Sequence, residues 1–485
     1  MRILRTKDGV RVAITSTVFL MFFLPSALVI YYISRDSIKE YVLLAISLLF
    51  YACGSPQFLL IFIASALITV VLGRTMSGCE GRKCAKVFLV LGILWNLAML
   101  CYYKYVDFGR SIFSQLTHTD VALRNLALPM GISFFTFKAI SYLTDIYCGR
   151  AILHENPAHD MLYLSLFTQI QSGPLSRYNE MGTRWQGEIG AQVKAQQIPS
   201  GVYRFLIGLN KKVILANLLS NITTEVFAAQ PAEVSTAYLW LGSVCYSMQL
   251  FFDFAGYSDM AIGMSEMFGY SCMENFNYPY MTESVAKFWR RWHISLSSWF
   301  RDYVYIPMGG SRCKKWRVYV NLFTVWLLTG IWHGAAWNFI AWGLGYFVMI
   351  AFEKATGLPD RLKSKAGRAI YRIITLLFVN FQWVLFRAPA LRSGASFIKH
   401  MVVYTPNALA DKRTLFLIQD NWFFILVGLL LCFPIVPYLE RKLEHKEYLG
   451  TAFRVIVGAI VLIGAVWSVS FLISGQNNPF AYANF

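Results

Sequence analysis

The apolar residues of this chain fall in long unbroken runs rather than in alternation. The runs cover roughly 12–33, 40–53, 57–73, 86–106, 124–143, 160–172, 200–220, 236–254, 318–332, 335–352, 369–387, 421–439 and 453–474. A bilayer core about 30 Å thick takes about 20 apolar residues in a helix. Only helices and closed barrels satisfy their backbone groups inside lipid, and continuous runs select helices over strands. The pattern predicts an all-α polytopic membrane protein with about 10–12 transmembrane helices, joined by partly inserted or amphipathic ones. Residues 174–199 and 388–420 read as loops. No internal repeat is visible, unlike many transporters. The whole chain, 1–485, reads as one integral-membrane domain.

Between 283 and 302 the pattern changes. Phe288, Trp292, Leu296 and Trp299 recur at helical spacing, while Arg290, Ser297 and Arg301 lie on another face. This predicts one amphipathic helix, capped by Thr282 with Glu283 in its first turn, suited to an interface or to the wall of a polar cavity. His293 shares a side with Trp289 and Ser297. Such a histidine reads as a hydrogen-bonded structural residue before a catalytic one.

Composition sharpens this picture. Only 14% of the 485 residues are charged and 56% are hydrophobic, whereas soluble domains carry about 25% charge. The net charge of +18 comes from Lys and Arg clustered between the apolar runs. There they fix topology and meet anionic membrane lipid, so no nucleic-acid partner is expected. Examples are Arg82-Lys83, Lys314-Lys315-Trp316-Arg317 and the stretch from Arg361 to Arg372. Orientation stays open. The basic N-terminus asks to be cytoplasmic, yet three helices later the basic loop 74–86 falls on the other side. The nine cysteines form no CxxC and no zinc spacing, and no metal is expected. Cys79 and Cys84 share a charged loop and would bridge only if it faces an oxidising compartment.

Against this apolar background one residue stands out. His333 lies between runs 318–332 and 335–351, neither of which contains Asp, Glu, Lys or Arg. An ionisable group there is expensive unless it faces a cavity. Both runs are shorter than a full crossing, so their connection is expected to be recessed. An ordinary inter-helix turn is the alternative. Other polar residues concentrate nearby in sequence: Asp253 and Asp259 near the end of run 236–254, then Glu274, Asn275, His293 and Asn338. A single polar chamber holding all of them is the economical expectation. No GxSxG, HExxH or Walker A motif occurs. A histidine in a dry cavity suits general-base chemistry.

Several short segments occur together in a telling order. They are Gln249–Asp259, Glu274–Asn277, Phe288–Ser297, Arg301-Asp302-Tyr303, Gly309-Gly310 and Trp332-His333-Gly334. They resemble the membrane-bound O-acyltransferases, in the bacterial branch that O-acetylates alginate. Upstream, Leu128–Phe134 and Ser141–Tyr147 match the same branch, so the resemblance covers roughly 15–390 and leaves C-terminal helices in 391–485. It implies His333 as the catalytic histidine and His293 as an assisting or structural one. Lys211-Lys212 matches the family's basic pair. The chain departs at Gln169, where alginate-type proteins usually carry a histidine there or beside it, which bears on the acceptor rather than the reaction. Its basic N-terminal extension is also longer.

The resemblance implies an O-acetyltransferase of the bacterial inner membrane. The acetyl group comes from a cytoplasmic thioester, acetyl-CoA, as co-substrate, with no cofactor bound. It passes through the membrane to an esterase-like partner protein at the outer face, which decorates an exported polysaccharide. Asn275, Asn338 or backbone amides are candidates to hold the oxyanion. Asp253, Asp259, Arg290, Arg291 and Trp332 are further substrate-binding candidates. Lys314, Lys315 and Arg317 are candidates for attracting the anionic donor. D-alanyl transfer in cell-wall modification is an alternative within the family, and a polysaccharide-precursor transporter is one from another class.

Overall fold

The computed structural model describes residues 13–180, 197–270, 272–403 and 409–475. All regular structure among them is helical. In chain order the helices are α1 Leu24–Ile33, α2 Lys39–Gly54, α3 Leu59–Ser77, α4 Arg82–Thr117, α5 Ile132–Tyr147, α6 Pro157–Ser165, α7 Phe167–Ile170, α8 Gln197–Asn210, α9 Asn217–Ala228, α10 Thr236–Met267, α11 Val285–Trp289, α12 Ile294–Phe300, α13 Lys315–His333, α14 Trp337–Thr356, α15 Leu358–Arg361, α16 Lys365–Arg387, α17 Leu391–Val402, α18 Lys412–Leu431, α19 Ile435–Leu443 and α20 Glu447–Ile473. Eight helical stretches among the described residues are long and apolar enough to cross a membrane.

Several boundaries differ from the sequence expectation. The stretch 388–420 is not a loop: it holds α17 and the start of α18. The expected helix 124–143 begins only at Ile132, because Pro129 and the left-handed Gly131 stand before it. The run 421–439 is two helices, broken at Pro434, which stands at the N-cap of α19. α10 runs well past residue 254, so Asp253 and Asp259 lie inside a helix. Cys79 and Cys84 are disulfide-bonded.

The chain divides into two compact units, each made of separate stretches of sequence. One comprises 1–205, 258–273 and 472–485; the other comprises 206–257 and 274–471. In the first, α3, α4 and α5 pack together, and α2 packs on α6. Two of its buried carboxylates are held by ion pairs. Arg74 binds Asp160, which also accepts from Tyr142 and Tyr178, and Arg204 binds Asp259. Pairing of this kind is what makes charge tolerable away from water.

The second unit is built around the hairpin of α13 and α14, with α16 and α11 against α14. The two hairpin helices approach closely because the contact positions are glycine. A Cβ on Gly330 would lie 2.6 Å from the Phe339 carbonyl oxygen, and one on Gly343 would lie 2.5 Å from that of Trp326. Small residues at such positions let backbones meet in lipid, where hydrophobic driving force between helices is weak. The space beside the hairpin is filled by a dense aromatic cluster, including Trp289, Trp326, Trp342, Tyr346 and Trp383, and each of these is buried.

Candidate functional site

His333 is the last residue of α13, and Gly334 ends the helix in extended backbone. A side chain at Gly334 would collide with the Phe339 ring at 2.2 Å, so glycine is what allows the chain to turn sharply into α14. The turn leaves His333 only 1% exposed. Its walls are aromatic. The imidazole centroid lies 4.8 Å from the Trp332 ring, 4.8 Å from Trp342 and 5.2 Å from Phe386. Trp342 is fully buried, and its indole N–H has no acceptor among the described residues. A low-dielectric surround of this kind strengthens every electrostatic interaction made inside it.

His293 is held differently. The expected single helix 283–302 is in fact two short helices, α11 and α12, with His293 between them in left-handed backbone, φ 45° and ψ 54°. Ser284, not Thr282, caps α11 by accepting from the Lys287 N–H. Thr282 instead donates to the Pro279 carbonyl. The break is stabilised by the segment ahead of it. The Asn277 N–H donates to the Arg291 carbonyl, and the Ile294 N–H to that of Asn275. Helical spacing of aromatic residues hid the break, because Phe288, Trp292, Leu296 and Trp299 are all buried whichever half carries them.

The amide oxygen of Asn275 accepts from the Ser295 N–H at 3.2 Å and from the Ser295 hydroxyl at 2.9 Å, and it stands 3.1 Å from His293 Nδ1. The backbone donor identifies that atom as oxygen, so Nδ1 of His293 carries the proton. Its Nε2 is buried without a hydrogen-bond partner among the described residues. Burial pushes the imidazole pKa down to about 3, which keeps His293 neutral. The Trp332 ring neighbours both histidines, 6.2 Å from His293 between centroids.

The other predicted residues do not gather into one polar chamber. Asp253 is ion-paired to Lys212, both 2% exposed on their side chains. Asp259 is committed to Arg204. Six residues along a helix turn through about 600°, which sets the two carboxylates on different faces. The buried Lys212 is therefore a structural partner rather than a surface cation. The amide nitrogen of Asn338 donates to the carbonyls of Leu385 and Ala388 and ties the start of α14 to the end of α16. Asn275 Oδ1 is committed to Ser295 and His293. Arg290 is exposed and Arg291 half-buried at the break between α11 and α12. Lys314, Lys315 and Arg317 are exposed at the start of α13. At about 1.5 Å per residue they stand about 27 Å along the helix from His333. Gln169 accepts from the buried Lys138 and donates to the Cys272 sulfur. No group of three or more potential metal ligands occurs among the described residues.

The sequence profile of the membrane-bound O-acyltransferase family matches residues 156–398. A probable alginate O-acetylase of Pseudomonas aeruginosa is 37% identical over 383 residues, spanning 78% of this chain and 72% of the relative. The chain belongs to the membrane-bound O-acyltransferase family. A peptidoglycan O-acetyltransferase of Helicobacter pylori is 32% identical, with 79% of this chain and 78% of the relative covered. A teichoic acid D-alanyltransferase of Bacillus subtilis is 35% identical over a shorter stretch, 57% of this chain and 71% of the relative. The protein is thus a multi-pass membrane O-acyltransferase. The matched region of this O-acyltransferase contains both His293 and His333.

Sequence reading missed Trp342, Trp383 and Glu353. The two tryptophans lie within apolar runs, where nothing in the pattern singles them out. Glu353 lies just beyond the run 335–351, yet it is buried.

Proposed function

We propose that this protein is a bacterial inner-membrane O-acetyltransferase that moves an acetyl group from cytoplasmic acetyl-CoA for O-acetylation of an exported polysaccharide. The observation that carries this reading is the match, over more than three quarters of the chain, to relatives named as alginate and peptidoglycan O-acetylating enzymes. His333 acts as general base. It takes the proton of the acceptor hydroxyl while that oxygen attacks the thioester carbonyl carbon. The carbon–sulfur bond then breaks, and the imidazolium returns the proton to the departing thiolate. The Trp342 ring packs against the imidazole, its indole N–H has no acceptor among the described residues, and it serves as the donor to the developing oxyanion.

The described protein lies largely in membrane helices and presents no extended soluble surface for a long polymer. A recessed base reaches a narrow hydroxyl more readily than a bulky chain. The acetyl group therefore passes first to a partner protein at the outer face. The test is reconstitution in liposomes with labelled acetyl-CoA, with and without the partner. Slow hydrolysis alone and polymer acetylation on adding the partner are expected. Efficient acetylation of polymer by the isolated protein would refute the relay.

The D-alanyl alternative rests on the Bacillus relative, whose match is shorter. Feeding a D-alanyl thioester in the same assay separates the two. Vesicle uptake of a polysaccharide precursor without any acyl transfer would favour a transporter instead.

A further inference from the structure

Glu353 is a buried carboxylate, 5% exposed, near the end of α14. Charge in such a place requires a specific reason. Its two oxygens accept from the first two backbone N–H groups of α11: Val285 at 2.7 Å and Ala286 at 2.9 Å. The Tyr371 hydroxyl of α16 donates to it as well, at 3.0 Å. Three helices are joined through one side chain. α11 also packs its Trp289 ring against Trp326, Trp342 and Tyr346, at centroid distances of 4.9, 5.7 and 5.0 Å. The Trp342 ring in turn forms one wall of the His333 pocket. At its other end α11 leads through Trp292 to His293.

We propose that Glu353 is a positioning residue for acyl transfer: by holding the start of α11 against α14 and α16, it sets the placement of Trp342 against His333 and the approach of the chain to His293. The proposal rests on the acyl-transfer reading given above. Charge-assisted bonds from a carboxylate to backbone N–H groups are short and directional, and here they add to the Ser284 cap at the start of a helix of only five residues. A shift on the order of 1 Å in a reacting group can lower a rate about 100-fold.

The test compares Glu353→Gln, Glu353→Asp and Glu353→Ala with wild type and with His333→Ala, all as full-length protein in the same liposomes. Glu353→Gln keeps the shape but can offer only one oxygen, so kcat for transfer falls about 10–100-fold while donor KM holds. Glu353→Asp keeps both oxygens on a shorter arm and recovers part of that loss. Near-ultraviolet circular dichroism, read at a temperature where each variant elutes as a folded monodisperse species, changes for Glu353→Gln as the tryptophan cluster shifts. Glu353→Ala is included for scale, and if it fails to fold the other two variants still decide. Wild-type kcat and an unchanged tryptophan spectrum in Glu353→Gln would overturn the proposal. So would equal losses in kcat for the Gln and Asp variants. Full transfer by His333→Ala would instead sink the underlying reading of the site, whatever Glu353 does.

Discussion

Two buried histidines of this protein, His293 and His333, lie forty residues apart in sequence and are held by different means. His293 is gripped by polar groups. Asn275 fixes its Nδ1, Ser295 fixes Asn275, and the backbone itself is bent into a left-handed turn to place it. His333 is held by shape, between the rings of Trp332, Trp342 and Phe386 at the end of a helix. The difference separates two roles. A polar grip links a side chain to the local fold, because removing it strands its partners. An aromatic wall surrounds the imidazole with apolar rings, where electrostatic interactions with a substrate are strongest. Losing His333 should therefore show in rate, and losing His293 partly in stability.

The sharpest way to break this contrast is His333→Ala. Transfer should fall by about 10²–10⁴-fold, the worth of a general base, with expression and detergent elution near wild type. A variant keeping more than about a tenth of wild-type transfer would remove the base from its assigned role. Next in size is Trp342→Phe, which keeps an aromatic ring in the wall but deletes the N–H along with part of the indole. Loss of one oxyanion donor is worth about 10²–10³-fold in kcat, and donor KM should stay constant. An unchanged kcat would leave the ring as a packing element and move the oxyanion donor elsewhere.

His333 was legible in the sequence because an ionisable residue between two uncharged runs is conspicuous, and because Trp332-His333-Gly334 fits a known pattern. Its surroundings were not. Tryptophans inside an apolar run look alike whether they face lipid or a site, and only packing tells Trp342, fully buried, from Trp337, about half exposed. The helix break at His293 was illegible for a related reason. Periodicity reports which residues are buried, and both halves of the broken helix bury their aromatic faces. The expected polar chamber failed on pairing: Asp253 and Asp259 find Lys212 and Arg204, cations whose sequence distance gives no hint of the contact.

His293 supplies a smaller and more structured effect. His293→Ala loses the imidazole and places a residue with a Cβ but no polar side chain at positive φ. Destabilisation of about 1–3 kcal/mol is expected from the stranded Asn275 and Ser295 groups. His293→Asn removes the imidazole too, but asparagine tolerates left-handed backbone better. The Asn variant should melt above the Ala variant, and both should lose less activity than His333→Ala. Wild-type melting and full activity in both variants would mark His293 as a bystander and erase the contrast.

The smallest effect concerns the other end of the helix that carries His333. Lys314, Lys315 and Arg317 are exposed at the start of α13, about 27 Å from the imidazole along the axis. At that distance they cannot touch the reacting atoms. Their only route to the reaction is by raising the local concentration of an anionic donor. Reversing all three charges to Glu should therefore raise donor KM a few-fold and leave kcat alone. The Debye length is about 8 Å at physiological ionic strength and about 3 Å at 1 M salt. The KM difference between wild type and variant should accordingly shrink as salt is added, with the variant itself less salt-sensitive than wild type. A fall in kcat with constant KM would show that the start of α13 is mechanically coupled to His333 rather than electrostatically coupled to the donor. Unchanged kinetics at every salt concentration would remove this cluster from the donor path altogether. The search would then turn to Lys211, since Lys212 is already committed to Asp253.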